Sequence, residues 1–315
     1  MPANNSVAPL LIGFFIILGI GQWLRLSRKL EAVHSEILDL LVTDVTLPAL
    51  AFYALAGQRI EKSVLGGVGI AWTVLLITLL LGFMMSRVLK LNRPSQGTMG
   101  ICSSFSNTGF LGIPIVYMLY GSVPGTAGAA VIINAAASSL PLYTLAVALA
   151  IKYGGQGTFS GIDFLKGLFT PVTLALIIGV AFNLCKVVLP QWVLTPAQLL
   201  GGATVPLVVI SLGLRLNFKG IRERLIPLLT ATLIKQGVAP LIAIAIVVIF
   251  NMHGPVALAA LVLSAMPTSM TSAIIASRYG CDGTMGSAIV VLTTACTGII
   301  LPIIVAVANY LHIIP

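Results

Sequence analysis

Long apolar runs separated by short polar connections constrain this chain more than any other feature of its sequence. A helix that crosses a bilayer needs about 20 mostly apolar residues. Applied along the 315 residues, this measure predicts ten membrane-spanning segments. They cover residues 7–24, 34–57, 64–86, 98–120, 125–151, 164–188, 197–215, 225–250, 255–278 and 285–311. We therefore expect an all-α polytopic membrane protein.

Composition supports this class and argues against two others. Only 8% of the residues are charged and 58% are hydrophobic, whereas soluble domains carry about 25% charged residues. The net charge of +9 lies in short loops between apolar runs, so we expect no nucleic-acid partner.

The four cysteines show no metal-binding spacing, and we predict neither a metal nor a cofactor. The first apolar run lacks a basic leader, so no cleaved signal peptide is expected.

The basic residues predict an orientation, because cytoplasmic loops of membrane proteins are enriched in Lys and Arg. Thirteen fall on one side of the ten segments, three on the other and one, Lys235, within a segment. The larger set is Arg25, Arg28, Lys29, Arg87, Lys90, Arg93, Lys152, Lys166, Arg215, Lys219, Arg222, Arg224 and Arg278; the smaller set is Arg59, Lys62 and Lys186. The larger set should face the cytoplasm, which places both termini on the non-cytoplasmic side.

The two halves of the chain resemble each other. Three short motifs recur in order, at offsets of 158, 159 and 161 residues. They are Thr-Leu-Pro at 46–48 and Thr-Val-Pro at 204–206, Tyr-Gly at 120–121 and 279–280, and Leu-Pro at 140–141 and 301–302. Residues 1–155 and 156–315 are thus predicted to be two repeats. Each holds five segments, an odd number, so the second repeat should be inverted relative to the first.

Two of the apolar segments are interrupted by polar residues at corresponding places. The segments 102–114 and 264–272 are rich in Ser, Thr, Gly and Pro. In hydrocarbon every backbone polar group needs a partner, so broken helices survive only inside protein or along a water-filled path. Paired interruptions of this kind indicate the substrate site of a transporter. The alternative is that Ser, Thr and Gly simply let helices pack closely.

The interruptions supply groups suited to an anion. Amide groups at the N-termini of the half-helices favour negative charge, and polar side chains nearby add further donors. We expect these residues to contact a carboxylate-bearing solute. The predicted contacts are Asn107, Thr108, Gly109, Pro114, Met266, Pro267, Thr268 and Ser269.

Three further polar residues lie within apolar segments. Asn134 either bonds a neighbouring helix or contacts substrate. Asp44 and Lys235 are charged far from their segment ends, and such residues are usually functional. Asp44 could carry a coupling proton if burial raises its proton affinity, and Lys235 could neutralise an anion. The alternative for this pair is a structural salt bridge, or pairing of each with backbone carbonyls.

The run Ser-Asn-Thr-Gly-Phe-Leu-Gly-Ile-Pro-Ile at 106–115, followed by Tyr-Gly at 120–121, resembles the fourth-helix motif of the auxin efflux carrier family. The chain is similar over nearly its whole length to bacterial members, which include proteins regarded as malate and malonate permeases. The resemblance implies a fold related to bile acid symporters and sodium/proton antiporters. It also implies a scaffold of helices 1, 2, 6 and 7, and a transport domain of helices 3–5 and 8–10 that moves like an elevator.

Residue by residue, the resemblance places substrate where helices 4 and 9 cross. Asn107 matches the asparagine implicated in carboxylate binding, and Pro114 the proline that follows it. Pro267 lies in the ninth-helix break, where the family tends to carry proline, and Lys235 matches a basic position of the eighth helix. Two features depart from the family: plant relatives have a longer central loop, and the second helix often has an uncharged residue where Asp44 stands.

We therefore predict a secondary transporter of a small organic anion in the bacterial inner membrane, with a proton or sodium ion as coupling partner. A homodimeric assembly is compatible with this prediction. The alternatives are a sodium-coupled symporter of the bile-acid type, or a channel or sensor on the same scaffold. An enzyme is not expected, because the sequence lacks the HExxH and G-x-S-x-G motifs of hydrolases.

Overall fold

A computed structural model describes residues 7–56, 63–157, 161, 169–187, 189–215 and 224–313. Five of the basic residues used to predict orientation lie outside these ranges, as does part of the predicted sixth segment, 164–168. These basic residues are Arg59, Lys62, Lys166, Lys219 and Arg222.

The described residues form α-helices and contain no β-strand. Within the described ranges, six helices are long and apolar enough to cross a membrane. These are α2 (Ser35–Ala56), α3 (Val64–Val88), α5 (Thr126–Gly154), α7 (Gln191–Arg215), α8 (Leu225–Ile249) and α10 (Gly283–Tyr310). The others are α1 (Val7–Leu26), α4a (Arg93–Cys102), α4b (Thr108–Tyr120), α6 (Pro171–Leu184), α9a (Pro255–Ser264) and α9b (Met270–Arg278).

Both interruptions predicted from the sequence are present. Residues 103–107 separate α4a from α4b, and residues 265–269 separate α9a from α9b. The two interruptions lie side by side, joined by an antiparallel bridge between Ser106 and Thr268. Each therefore supplies hydrogen-bonding partners to the other, as broken backbone inside a membrane requires.

Two sets of helices pack mainly among themselves. In one, α2 contacts α6 and α7, and α1 contacts the C-terminal half of α7. In the other, α4a contacts α3 and α5, while α9a contacts α3, α5 and α8 and α9b contacts α10. The centre of this second set is α9a, in which every residue from Val256 to Ser264 is buried. A helix that is apolar all round and enclosed by others must lie in the core.

Two helices begin earlier in the chain than predicted, at residues that follow a helix-start signal. The fourth begins at Arg93, five residues earlier than predicted, because the Asn92 side chain accepts a hydrogen bond from the Ser95 amide at 3.0 Å. An Asn cap followed by Pro94 in the first turn is a strong start signal. Similarly, α7 begins at Gln191, directly after Pro190, and continues through Pro196.

Wider π-helical turns occur within several helices. They are Val42–Thr46 in α2, Thr108–Gly112 at the start of α4b, Ala135–Ser139 and Leu142–Ala146 in α5, and Ile234–Val238 in α8. Turns of this type are rare in proteins overall, and those that do occur are often found at functional sites. Four predicted site residues lie within them: Asp44, Thr108, Gly109 and Lys235.

Candidate substrate-binding site

The site is built on the paired interruptions. The amide of Asn107 donates to the carbonyl of Pro267 at 2.7 Å, and the amide of Ser269 donates to the carbonyl of Phe105 at 2.8 Å. These two bonds pair the extended residues of one interruption with those of the other. They hold the starts of α4b and α9b close together.

The start of α4b leaves backbone donors free of helical partners. The first amide of this helix bonded within the turn is that of Gly112, which donates to the carbonyl of Asn107 at 3.0 Å. The amides of residues 108–111 therefore have no acceptor inside the helix. Together with the helix dipole, such donors favour an anion.

A cavity of about 210 Å³ opens beside this helix start. Six of the predicted site residues line it: Asp44, Asn107, Thr108, Gly109, Asn134 and Ser269. The wall is rich in hydroxyl and amide groups from α2, α4b, α5, α6 and α9b. These six predicted residues thus meet at one place although they come from three helices and the two interruptions.

Asn134 is fixed in this wall by its neighbours. The Thr108 hydroxyl donates to its Oδ1 at 2.7 Å, and its Nδ2 lies 3.4 Å from the Ser139 hydroxyl. A Cβ atom at Gly109 would lie 3.3 Å from the same Oδ1. Asn134 therefore bonds a neighbouring helix and lines the cavity, so both roles weighed for it from the sequence are compatible with its position.

Five predicted contacts do not line this cavity. Pro114 is buried within α4b, and Met266 is fully buried. Pro267 contributes its carbonyl to the backbone pairing. The hydroxyl of Thr268 donates to the carbonyl of Cys102 at 2.7 Å, and its amide donates to the Thr293 hydroxyl at 3.1 Å. The fifth, Lys235, is treated next.

The two charged candidates are far from equivalent. Lys235 is fully buried, and within the described ranges its Nζ atom has no hydrogen-bonding partner. Asp44 instead is exposed on the cavity wall. No ion pair joins the two among the described residues, so the salt bridge considered from the sequence is absent there.

A second cavity, of about 520 Å³, lies on the other side of Asn107. Asn107, Phe110 and Thr271 line both cavities. The second one also contains Arg215, at the end of α7, and Asp39 of α2, which form an ion pair. From the sequence, Arg215 is expected only as a cytoplasmic charge. An acidic residue inside an apolar segment, such as Asp39, requires a partner. This requirement was the sequence signal that could have identified Arg215 as a residue of the cavity.

Across the described ranges no three His, Cys, Asp or Glu side chains cluster as a metal site would need. Apart from Asp44, the polar side chains that line the 210 Å³ cavity carry hydroxyl or amide groups. This chemistry suits a hydrogen-bonded organic solute better than a tightly held divalent ion.

Comparison with known proteins agrees with these features. A family model described as membrane transport protein matches residues 6–160 and 156–305. The chain is 24% identical to an uncharacterized transporter of Methanocaldococcus jannaschii, covering 89% of this chain and 91% of that protein. It is 25% identical to an uncharacterized transporter of Methanothermobacter thermautotrophicus, covering 93% and 95% respectively. This multi-pass integral membrane chain belongs to the membrane transport protein family, the auxin efflux carrier family that its fourth-helix motif resembles.

Proposed function

We propose that this protein is a secondary active transporter that moves a small organic anion, a carboxylate, by alternating access. One observation carries the proposal. The interruptions of α4 and α9 pair with each other, and the free amides at the start of α4b adjoin a cavity lined by Asn107, Thr108 and Asn134. Discontinuous helices that meet in this way are the usual substrate site of secondary transporters.

An anion fits the charge of the site. Residues 93–120 and 255–278, which form α4 and α9, contain no acidic residue. The helix dipole and the amides of α4b attract negative charge, and Asn107 adds two donors and an acceptor. The 210 Å³ cavity is smaller than the roughly 300–1,000 Å³ that hold drug-sized ligands. It therefore suits a solute of a few carbon atoms.

The proposed movement is of the elevator type. The set α3–α5 and α8–α10 would carry the site, and the set α1, α2, α6 and α7 would remain fixed. The mainly separate packing of the two sets supports this division. In the proposal the halves 1–155 and 156–315 are inverted repeats of five spans each, both termini face the non-cytoplasmic side, and the protein lies in a bacterial inner membrane.

A coupling ion is proposed at Asp44. Its carboxylate is exposed on the wall of the cavity that holds the anion site. An anionic substrate beside an ionised carboxylate is unfavourable, so uptake of a proton by Asp44 would favour loading. Because the same carboxylate lies beside amide and hydroxyl oxygens, it also makes a sodium-coupled symporter the second candidate.

Transport into proteoliposomes tests the function. Vesicles loaded with unlabelled malonate should accumulate external labelled malonate, and the initial rate should saturate. A flux that neither saturates nor shows counterflow would indicate a channel and contradict the proposal. No flux of malonate, or of any member of a panel of mono- and dicarboxylates, would contradict the anion assignment.

Coupling is tested on the same vesicles. An imposed pH gradient should drive uptake by the wild type but not by Asp44→Asn. If Asp44→Asn keeps the full pH dependence, Asp44 is not the coupling residue. A rate that rises with external sodium at fixed pH, and loses that rise in Asp44→Asn, would replace the proton with sodium.

A further inference from the structure

Arg215 lies at the end of α7 and is held by residues of α2. Its Nε donates to the Ser35 hydroxyl at 2.6 Å, and its Nη2 pairs with Oδ2 of Asp39. The other carboxylate oxygen of Asp39 accepts from the Ser211 hydroxyl at 2.6 Å. Asp39 therefore uses only one oxygen on the guanidinium, so this is not the bidentate pair that makes arginine–carboxylate contacts strongest.

The remaining side of the guanidinium faces α9b. Nη1 contacts the thioether sulfur of Met270, the first residue of that helix. A thioether is a weak hydrogen-bond acceptor. The Arg215 side chain also keeps 24% of its surface exposed. Arg215 thus has donors directed at a poor partner, which a carboxylate would satisfy better.

The same guanidinium lines the cavity that reaches the crossing. Arg215, Met270, Thr271 and Asn107 share the wall of the 520 Å³ cavity. Asn107 in turn adjoins the free amides at the start of α4b. A solute in this cavity therefore meets two groups that attract negative charge, and they come from the two helix sets that would move past each other.

Among the described residues, the other ionisable side chains on this wall are Asp39 and Glu36. Glu36 is exposed, so water screens its charge. Asp39 is only 26% exposed at its side chain and contacts Arg215 directly. Of the two carboxylates, only Asp39 occupies the position that an incoming anion would need.

We propose that Arg215 is an anion-binding residue and that Asp39 occupies it until the substrate carboxylate displaces it. This inference rests on the proposed transport of an organic anion. Displaced Asp39 keeps its hydrogen bond from Ser211 and its access to water, so the exchange strands no buried charge.

Binding of malonate to the purified protein, measured by isothermal titration calorimetry, tests the inference. Arg215→Gln should weaken binding roughly tenfold to hundredfold, the usual effect of losing a hydrogen bond to a charged group. Arg215→Lys should lose less, because an ammonium keeps the charge but not the planar fork.

The decisive variant is Asp39→Asn. If Asp39 competes with substrate, removing its charge should tighten malonate binding roughly threefold to tenfold, because the competent state becomes more populated. Glu36→Gln is the matched control: it removes one negative charge from the same cavity without touching Arg215, and should change affinity less than twofold. Arg224→Gln, which breaks an ion pair with Asp282 away from the cavity, should leave affinity unchanged.

Several outcomes overturn the inference. Wild-type affinity in Arg215→Gln, equal gains in Asp39→Asn and Glu36→Gln, or a loss in Asp39→Asn as large as in Arg215→Gln would each do so. The last result would mean that the pair is only structural. If Arg215→Gln does not fold, the comparison of Asp39→Asn with Glu36→Gln still tests whether Asp39 competes with the substrate. If the wild type binds no carboxylate of a mono- and dicarboxylate panel, the proposed function itself fails and the inference fails with it.

Discussion

The interruptions of α4 and α9 lie side by side but differ in what their side chains contact. In α4, Thr108 uses its hydroxyl to position Asn134, and both residues line the cavity. In α9, Thr268 is fully buried, with its hydroxyl bonded to Cys102 and its amide bonded to Thr293. Asn107 of the α4 interruption and the adjoining Thr108 thus present polar side chains to the cavity, whereas the α9 interruption adds Ser269 to the cavity wall and uses Thr268 to anchor the crossing. The same sequence pattern, a polar interruption of an apolar segment, therefore serves two different physical roles.

The largest expected effect follows a charge placed on the α4 side. Asn107→Asp should lower malonate uptake roughly hundredfold or more, because two like charges about 4 Å apart repel by about 4 kcal/mol at a protein surface. Asn107 is buried, so the new charge should also lower the melting temperature, even though no described residue hydrogen-bonds the Asn107 side chain. Labelled uptake into proteoliposomes gives the first quantity and a thermal melt gives the second.

Asn92→Asp is the matched control. It makes the same substitution at the start of the same helix, where Asn92 caps α4a away from the cavity. Aspartate caps helices as well as asparagine does, so uptake should stay at the wild-type rate. Equal losses in both variants would mean that charge anywhere on α4 is damaging, and the comparison between the interruptions would fail.

A smaller effect, now on stability, is expected on the α9 side. Thr268→Val removes the donor to the buried carbonyl of Cys102, and leaving such a group unpaired costs about 1–3 kcal/mol. The melting temperature should fall, while the affinity of the remaining folded protein for malonate should change little. Thr230→Val is the control, since its exposed hydroxyl bonds only within its own helix. An unchanged melt with a large loss of affinity would place Thr268 in the binding site instead.

A third change perturbs the α4 side slightly. Gly109→Ala places a methyl group 3.3 Å from Oδ1 of Asn134 and should displace its hydrogen bond with Thr108. Interhelical hydrogen bonds are worth about 0.6 kcal/mol on average, so KM for uptake should rise roughly threefold. Gly69→Ala meets nothing within 4 Å and should leave KM unchanged. A KM of Gly109→Ala equal to that of the wild type would show that Asn134 does not act on the substrate.

The smallest effect concerns Asp282, which joins the two halves outside the membrane. Burial raises the pKa of its carboxyl, but hydrogen bonds from the Met285 amide, the Ser95 hydroxyl and Arg224 outweigh burial and hold that pKa below its ordinary value. A carboxyl with a lowered folded-state pKa stabilises the protein above its unfolded pKa of about 4 and loses that stabilisation as pH falls through the folded value.

Thermal melts at decreasing pH check this prediction. Between pH 7 and pH 3 the melting temperature of the wild type should fall further than that of Asp282→Asn. Parallel curves for the two proteins would show that Asp282 contributes nothing to the acid sensitivity.

Much of the fold could be predicted because lipid imposes strict rules on sequence. Polar residues such as Asn107 in an apolar run have few explanations, so both interruptions were found, and with them the cavity wall. The structural role of Thr268, which hydrogen-bonds Cys102 and Thr293, could not be predicted. Ser and Thr residues in an apolar segment serve helix packing as well as substrate binding. Arg215 was missed because a charge at a segment end is ordinarily interfacial. Only the packing of α2 and α9b around α7 turns it towards the crossing.

The most direct measurement is a structure of the protein saturated with malonate. A carboxylate group should lie within about 2.7–3.2 Å of amide nitrogens among residues 108–111, beside the Asn107 side chain. Malonate bound with its carboxylates distant from the start of α4b, or on the Thr268 side of the crossing, would contradict the account.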